Sequence, residues 1–142
     1  MRFALGTVGC DMADMDDRAG GLLSWQWATY PSAHTTRINL LIHIVAVPFF
    51  QLGTIALVGA LVMGPLYAVF GLALMVGAMA AQGRGHALEP QPPARFRGPG
   101  DVFARIMAEQ WIAFPRFIVS GGFARAWRAL PSGGATNRGD AP

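Results

Sequence analysis

The sequence predicts an all-α integral membrane protein built around a hairpin of two transmembrane helices. Its 142 residues are 53% hydrophobic and only 13% charged. No Asp, Glu, Lys or Arg occurs between Arg37 and Arg84, a stretch about twice as long as one helix needs to cross a ~30 Å hydrocarbon layer. The Gly64-Pro65 pair in its middle is typical of a turn. The predicted spans are about residues 38–63 and 66–84.

The rest of the chain fits a single domain with polar ends. We expect a disordered leader over residues 1–21, a helical membrane domain over residues 22–124 and a flexible tail over residues 125–142. The leader carries four aspartates, and the tail is rich in glycine and polar residues. A single cysteine, Cys10, permits no internal disulfide.

Two shorter helices are predicted beside the hairpin. Trp25, Trp27 and Tyr30 follow a Gly-Gly break and are typical of an interfacial helix, in which aromatic side chains lie among the lipid headgroups. After the hairpin, an apolar face and a charged face alternate at helical spacing from Asp101 to Phe114, which indicates an amphipathic helix. The charged face contains Asp101, Arg105 and Glu109, and we expect Pro115 to end the helix.

The first span is predicted to begin at Arg37, after a cap at Thr35 or Thr36, and to bend at Pro48. Small residues recur every four positions in both spans. They are Ala56, Ala60 and Gly64 in the first span, and Ala73, Gly77 and Ala81 in the second. Because these stripes overlap little in depth, each span is expected to pack partly on a terminal helix or on a second copy of the chain, as in a homo-oligomer.

The basic residues indicate membrane topology rather than nucleic-acid binding. All eleven are arginines, and most lie beside or after the apolar stretch, without the basic run interleaved with aromatics that would follow a phosphate backbone. The positive-inside rule then makes the end of the hairpin that carries Arg37 and Arg84 cytosolic. Both termini are expected in the cytosol, and the localisation is expected to be a bacterial inner membrane.

Two of the three histidines are predicted to meet at that end. His43 and His86 are equally far in sequence from the Gly64-Pro65 junction, so an antiparallel hairpin returns them to one depth. At about 1.5 Å per residue, each arm is roughly 30 Å long, which is the thickness of the hydrocarbon layer. The pair is therefore expected at the water-facing edge of the membrane.

His34 needs a change of chain direction to join them. Nine residues at about 100° each would place it on the opposite side of a continuous helix from His43. If all three imidazoles converge, the chain must turn between Ala33 and Arg37. Asn39 is four residues before His43, shares its helix face and is placed to orient an imidazole or a ligand.

Imidazoles that lie together at a membrane edge suit a divalent transition metal. Glu89 lies three residues after His86 and can add a carboxylate, but it precedes Pro90, which disfavours helical geometry. Glu89 is thus expected either at the metal or in the loop beside it. The alternative is that the histidines are interfacial and hold no cofactor.

The order of these landmarks resembles a known membrane family. The first motif, Y-x3-H-x4-N-x3-H-x4-P, matches Tyr30, His34, Asn39, His43 and Pro48. The second, GH-x2-E-x3-PA, matches Gly85, His86, Glu89, Pro93 and Ala94. Both are similar to motifs of the family typified by the fungal endoplasmic-reticulum 2-hydroxy fatty acid dioxygenase, which has bacterial members. The chain departs from the family pattern at Ala46, where many members have Gly, and at Thr35, where the fungal enzyme has His.

The resemblance implies an Fe(II)-dependent dioxygenase that uses O2 to shorten a long-chain 2-hydroxy fatty acid by one carbon. It implies that His34, His43 and His86 hold iron, and it makes Tyr30, Asn39 and Glu89 candidate catalytic residues. Arg37 or Arg84 is a candidate to neutralise the substrate carboxylate, and membrane lipid would surround the spans. The rival hypothesis is a small non-catalytic membrane subunit whose small-residue stripes serve assembly.

Overall fold

The computed structural model describes Arg18 and residues 20–130, which are helical with turns and contain no strand. The α-helices are α1 (Leu22–Thr29), α2 (Arg37–Met63), α3 (Pro65–Ala87), α4 (Pro99–Ala108), α5 (Phe114–Val119) and α6 (Gly122–Ala129). A 3-10 turn, Pro31–Ala33, follows α1, and a π-helical turn, Glu109–Ala113, joins α4 to α5. The predicted all-α fold is confirmed. Most of the predicted leader and the predicted tail beyond residue 130 lie outside the described residues.

Helices α2 and α3 form the predicted hairpin. They contain 27 and 23 residues, so they are about 40 and 34 Å long at about 1.5 Å per residue. Gly64 connects them with a φ of 101°, a conformation that glycine adopts without a steric penalty. Both helices are long and apolar enough to cross a membrane.

The surfaces of these two helices are apolar and exposed. Only 22% and 17% of the residues in their most apolar windows are buried, whereas the central helix of a soluble domain is mostly covered. Leu61 and Val62 near the turn are each 88% exposed. Contiguous apolar surface of this extent is typical of membrane contact, and this supports the predicted membrane association.

The backbones of the two spans pack closely at Gly53 and Gly71. A Cβ added to Gly53 would lie 2.7 Å from the Gly71 carbonyl oxygen, and one added to Gly71 would lie 2.6 Å from the Gly53 oxygen. Glycine therefore permits backbone contact here. The predicted stripes lie elsewhere: Ala73, Gly77 and Ala81 line an open apolar groove of about 470 Å³.

The remaining helices form a second layer over the Arg37 end of α2. Its core contains Tyr30, Leu40, Val47, Ala113, Phe114 and Phe117. Within this layer the charged face of α4 points inward: Asp101 pairs with Arg18, and the Arg105 guanidinium lies 4.9 Å from the Trp25 ring. Phe103, on the apolar face of α4, is 68% exposed. Ile106 and Met107 on the same face pack against the hairpin core of Ala46, Phe50 and Ala78. The amphipathic helix thus buries part of both faces and leaves Phe103 outward.

Several helix ends differ from the predicted ones. Helix α3 continues past Gly83 and Gly85 to Ala87, so His86 lies in its last turn. The helix containing α4 does not end at Pro115, because that proline occupies the first turn of α5, where a missing N–H costs little. Helix α6 extends to Ala129, into the segment expected to be flexible.

Candidate metal centre

Three histidines and one glutamate converge where the hairpin meets the second layer. They are His34, His43, His86 and Glu109, whose candidate ligand atoms all lie within 4.8 Å of one another. Glu109 Oε1 lies 3.7 Å from His34 Nε2, 3.3 Å from His43 Nε2 and 3.8 Å from His86 Nε2. We call these four residues the His3Glu cluster.

The hairpin and the turn before α2 bring the three histidines together. The hairpin brings His43 and His86 to one depth, with ring centroids 5.0 Å apart. The chain turns after the 3-10 turn, and Thr36 caps α2 by accepting a hydrogen bond from the Asn39 N–H. This turn replaces the continuous helix that would have separated His34 from His43, and their ring centroids are 4.5 Å apart.

Two of the imidazoles are oriented by backbone carbonyls. His34 Nδ1 lies 2.9 Å from the Tyr30 carbonyl oxygen, and His43 Nδ1 lies 3.0 Å from the Asn39 oxygen. A carbonyl oxygen only accepts, so each Nδ1 carries the proton and donates it. The lone pair of each neutral ring then lies on Nε2, which faces the cluster. This is the arrangement by which proteins orient metal-binding histidines.

Electrostatics favour a neutral His34 beside an ionised Glu109 carboxylate. Burial, followed by the neighbouring His43, lowers the pKa of His34 to about 4, so that ring is neutral near pH 7. Burial acts to raise the pKa of Glu109, but the imidazoles of His43 and His86 outweigh it and hold the pKa well below its usual range. A buried carboxylate that stays ionised beside the Nε2 lone pair of His34 is an environment that favours a cation.

The donor atoms meet the requirements of a transition-metal site. His34 Nε2, His43 Nε2 and Glu109 Oε1 are buried and have no hydrogen-bond partner within the described part of the chain. Metal–nitrogen bonds of about 2.1 Å place neighbouring ligand atoms roughly 3.0–3.4 Å apart, close to the observed spacings. Nitrogen and carboxylate ligands suit iron, zinc and related divalent ions. The cluster can therefore hold a metal ion, and its residue types do not fix which one.

The cluster is accessible from one side. His34 and His43 are 2% and 0% exposed, whereas His86 and Glu109 are 19% and 21% exposed. Any small molecule that reaches the cluster would approach between the end of α3 and the π turn. The exposed side lies at the predicted water-facing end of the spans.

Glu109 comes from the π turn and was not among the predicted ligands. The sequence predicts Asp101, Arg105 and Glu109 on one charged face of an amphipathic helix, and the structure turns that face towards α1 and the histidines. The charges are satisfied there, because Asp101 pairs with Arg18 and the Arg105 guanidinium lies against the Trp25 ring. Short π-helical segments occur frequently at functional sites, and this one carries the fourth member of the cluster.

The structure places the candidate Glu89 outside the His3Glu cluster. Its carboxylate accepts hydrogen bonds from the Thr35 N–H at 2.9 Å, the Thr36 N–H at 3.2 Å and Asn39 Nδ2 at 2.7 Å. Burial acts to raise its pKa, but the hydrogen bonds from Thr35 and Asn39 outweigh that effect and lower it. Glu89 therefore ties the loop after α3 to the turn that positions His34.

The other two candidate catalytic residues contact the histidines. The Asn39 side-chain amide donates to Glu89 and to the Ala33 carbonyl, while the Asn39 backbone carbonyl accepts from His43 Nδ1. The Tyr30 ring stacks on His34, with centroids 4.1 Å apart. Burial and the Glu109 charge raise the pKa of the Tyr30 hydroxyl well above its usual value, so the phenol stays protonated.

The two candidate substrate-binding arginines differ in their surroundings. Arg37 donates to the Leu130 carbonyl at 2.8 Å, and its guanidinium lies 5.0 Å from the Trp127 ring. It thereby fastens α6 to the start of α2. Arg84 is exposed and lies two residues before His86 in α3, so its side chain leaves the helix on nearly the opposite side from that histidine. Of the two arginines, Arg84 is therefore the more exposed, and Arg37 is the one held by the second layer.

Comparison of the chain with protein families, with curated proteins and with solved structures finds no match.

Proposed function

We propose that the protein is an Fe(II)-dependent dioxygenase of fatty acid α-oxidation, which shortens long-chain 2-hydroxy fatty acids by one carbon. The observation that carries the proposal is the His3Glu cluster at one end of two long apolar helices. The proposal is supported by the donor set, by the two helices that are apolar enough to cross a membrane, and by the resemblance of both histidine motifs to the dioxygenase family.

In this proposal His34, His43, His86 and Glu109 hold the iron. A cation held by these groups would remain open to small molecules from the side where His86 and Glu109 are partly exposed. The bound iron would supply redox chemistry with O2 and a chelation point for the 2-hydroxyl and carboxylate of the substrate. The donor set differs from the common two-histidine, one-carboxylate site by one additional imidazole.

The surrounding residues would orient and shield the reaction. The carbonyls of Tyr30 and Asn39 fix two of the rings, and Phe114 packs beside His43 with ring centroids 6.1 Å apart. These groups exclude water from the buried side. Arg37 or Arg84 would neutralise the substrate carboxylate, while the alkyl chain remains in the apolar region.

The overall reaction balances without another reductant. A 2-hydroxy acid and one O2 give the acid one carbon shorter, one CO2 and one water. The bond between C1 and C2 breaks, and C2 is oxidised from an alcohol to a carboxyl carbon. Oxidation of the substrate releases four electrons, which is the number that reduces O2 fully. The proposed enzyme therefore needs only the acid, O2 and iron.

The distribution of arginines supports a cytosolic site. In the described part of the chain every arginine lies at or beyond the Arg37 and Arg84 ends of the spans. By the positive-inside rule this end faces the cytosol, and we place the protein in a bacterial inner membrane with both ends of the chain in the cytosol. The substrate would then be acids that partition into that membrane.

The test is turnover with purified protein in detergent. Protein loaded anaerobically with Fe(II) is supplied with 2-hydroxypalmitate and O2, and mass spectrometry follows the acid one carbon shorter. We expect about one iron per chain and steady product formation, and we expect His43→Ala to lose both. Arg128→Gln, on an exposed position of α6, is the control and should behave like the wild type. Bound metal without product would exclude this substrate.

The rival function is a small non-catalytic membrane subunit. The open groove lined by Ala73, Gly77 and Ala81 favours it, because small residues on an exposed helix face permit close packing of another helix. Protein that binds neither iron nor other divalent metals, together with stable co-purification of a membrane partner, would support the subunit and refute the dioxygenase.

A further inference from the structure

Three glutamines form a buried amide network below the His3Glu cluster. Gln82 Nε2 donates to Gln110 Oε1 at 3.1 Å, and Gln110 Nε2 donates back to Gln82 Oε1 at 2.7 Å. Gln51 Nε2 donates to the Gln110 backbone carbonyl at 2.8 Å. Gln82 is 2% exposed and Gln110 is 0% exposed. The network thus joins α2, α3 and the π turn.

The network lies within the membrane-spanning part of the hairpin. Gln82 is one helical turn before His86, and Gln51 is about two turns beyond His43, which places both deeper than the cluster by about 6 and 12 Å, respectively, at 1.5 Å per residue. Amide groups are costly to bury in an apolar region and persist there when their hydrogen bonds are satisfied. Such intramembrane polar groups generally have a function.

The hydrogen bonds hold residue 110 at two points. A π-helical turn shifts the regular backbone bonding pattern, and the Gln110 carbonyl within this turn accepts from α2. The Gln110 side chain is fixed to α3 by its reciprocal pair with Gln82. Gln110 therefore locks the π turn against both spans at once.

Glu109, the residue directly before Gln110, is a member of the His3Glu cluster. Gln82 and His86 are four residues apart and lie on one face of α3. Consecutive residues of the π turn contact this face: Gln110 meets Gln82, and Glu109 lies 3.8 Å from His86 Nε2. Any shift of Gln110 along α3 moves the Glu109 carboxylate with it.

We propose that Gln51, Gln82 and Gln110 are positioning residues that deliver Glu109 to the metal. The inference rests on the metal centre of the proposed function but does not depend on its substrate. It assigns the glutamines a role in metal affinity that is distinct from their contribution to folding. Supporting groups of this kind typically change metal affinity by about 10- to 100-fold.

The experiment is a double-mutant cycle read by Co(II) affinity. Dissociation constants are measured by chelator competition for the full-length wild type, Gln82→Leu, Glu109→Gln and the double variant in detergent. We expect Gln82→Leu to weaken Co(II) binding by about 10- to 100-fold. In the Glu109→Gln background, Gln82→Leu should change the Co(II) dissociation constant by less than about threefold. Gln82 is proposed to act through Glu109, so the effects of the two substitutions should not add.

Gln26→Leu is the matched control. Gln26 is 7% exposed and donates to the Arg105 carbonyl at 2.9 Å, so its loss also removes a buried amide bond, but one outside the π turn. It should lower thermal stability and leave the Co(II) affinity within about threefold of the wild type. An equal loss of affinity in Gln26→Leu and Gln82→Leu would overturn the inference.

A second variant tests the inference if Gln82→Leu alone does not fold. Gln82→Leu with Gln110→Leu removes both partners together, which avoids leaving one amide unpaired, and it should retain helical content while binding Co(II) more weakly. Wild-type affinity in this variant, or an unchanged effect of Gln82→Leu in the Glu109→Gln background, would contradict the positioning role. Wild-type protein that binds no Co(II) would instead refute the metal centre of the proposed function.

Discussion

Glu109 Oε1 lies 3.3 Å from His43 Nε2, and this contact joins the second helical layer to the hairpin. The glutamate comes from a π turn and the histidine from a predicted membrane span. Because His34 and His86 face the same carboxylate oxygen, the contact converts a histidine cluster into a mixed nitrogen and oxygen donor set.

Glu109→Gln is expected to weaken metal binding more than changes outside the cluster do. An amide oxygen is a weaker donor than a carboxylate and adds no charge to offset the metal. The loss should exceed the roughly 10- to 100-fold typical of supporting residues. Chelator competition with Co(II) or Fe(II) measures it. Asp101→Asn is the control, because Asp101 lies near the start of α4, pairs with Arg18 and is not a member of the cluster. Unchanged affinity in Glu109→Gln would remove Glu109 from the site.

Glu89→Ala is expected to destabilise the protein and to disturb His34. The substitution leaves the N–H groups of Thr35 and Thr36 without their carboxylate partner. Because Thr35 is exposed and Thr36 is only partly buried, water can replace part of the bonding, and we expect a cost of about 0.5–1.5 kcal/mol, the net value of a typical hydrogen bond. Thermal unfolding in detergent measures this loss. Metal affinity should fall by less than in Glu109→Gln, and an equal or larger fall would indicate that Glu89 is itself a ligand.

The Glu89 interaction also predicts a pH dependence. Its pKa is lowered in the folded state from the ordinary 4.5, so the folded protein binds this proton less readily than the unfolded chain. The stabilisation is therefore complete above pH 4.5 and is lost as the pH falls through the folded-state value. Unfolding measured from pH 7 down to pH 3 should show a smaller loss of stability in Glu89→Gln than in the wild type.

Gly85→Ala is expected to force the hairpin apart beside the cluster. A Cβ at position 85 would lie 2.4 Å from Asn39 Oδ1 and 3.3 Å from Ile42 Cδ1. Asn39 is completely buried and is fixed by Glu89 and Ala33, so it cannot move aside without loss of those bonds. We expect a lower melting temperature and weaker metal binding, measured on the same preparation.

Gly83→Ala is the matched control for that substitution. A Cβ at position 83 meets nothing within 4 Å, and alanine is favoured over glycine within a helix by about 1 kcal/mol. The control should therefore be as stable as the wild type or more stable. Similar destabilisation of both variants would show that helix α3 is sensitive to any added methyl group here, and that the contact with Asn39 is not the cause.

The hairpin and the meeting of the histidines follow from local sequence features. The uncharged stretch is about twice as long as one membrane-spanning helix and is divided by Gly64-Pro65, which leaves few alternatives to two antiparallel spans. Since His43 and His86 are equally far from that turn, the hairpin alone brings them to one depth. A helix of fixed rise and rotation also requires the chain to turn before His34 can join them.

Glu109 and the glutamine network depend on packing that the sequence does not display. The sequence shows that Asp101, Arg105 and Glu109 share a helix face but not what that face contacts, and in the structure it packs inside against Arg18, Trp25 and the histidines. A signal was present, since Glu109 and Gln110 interrupt an otherwise apolar segment, IMAEQWIAF. Gln82 and Gln51 carry no pattern that shows which chain segment they bond.

Tyr30→Phe distinguishes the role of the Tyr30 ring from the role of its hydroxyl. The ring stacks on His34, while the buried hydroxyl has no hydrogen-bond partner in the part of the chain that the structure describes. Removing a buried hydroxyl that has no partner relieves its desolvation cost, so the free energy of unfolding should stay unchanged or rise, by up to about 1–3 kcal/mol, and metal affinity should be unchanged. Because the phenol stays protonated, it can donate to an anionic ligand at the cluster.

The variant should therefore lower kcat/KM for the proposed 2-hydroxy acid oxidation by about 10- to 100-fold, the value of one hydrogen bond to a charged group. Tyr30→Leu is the comparison, since it removes the aromatic stack as well and should weaken metal binding in addition. Turnover assays together with chelator competition measure both effects. Equal kcat/KM in Tyr30→Phe and the wild type would restrict Tyr30 to holding the His34 ring, because the hydroxyl would then make no contact that the reaction uses.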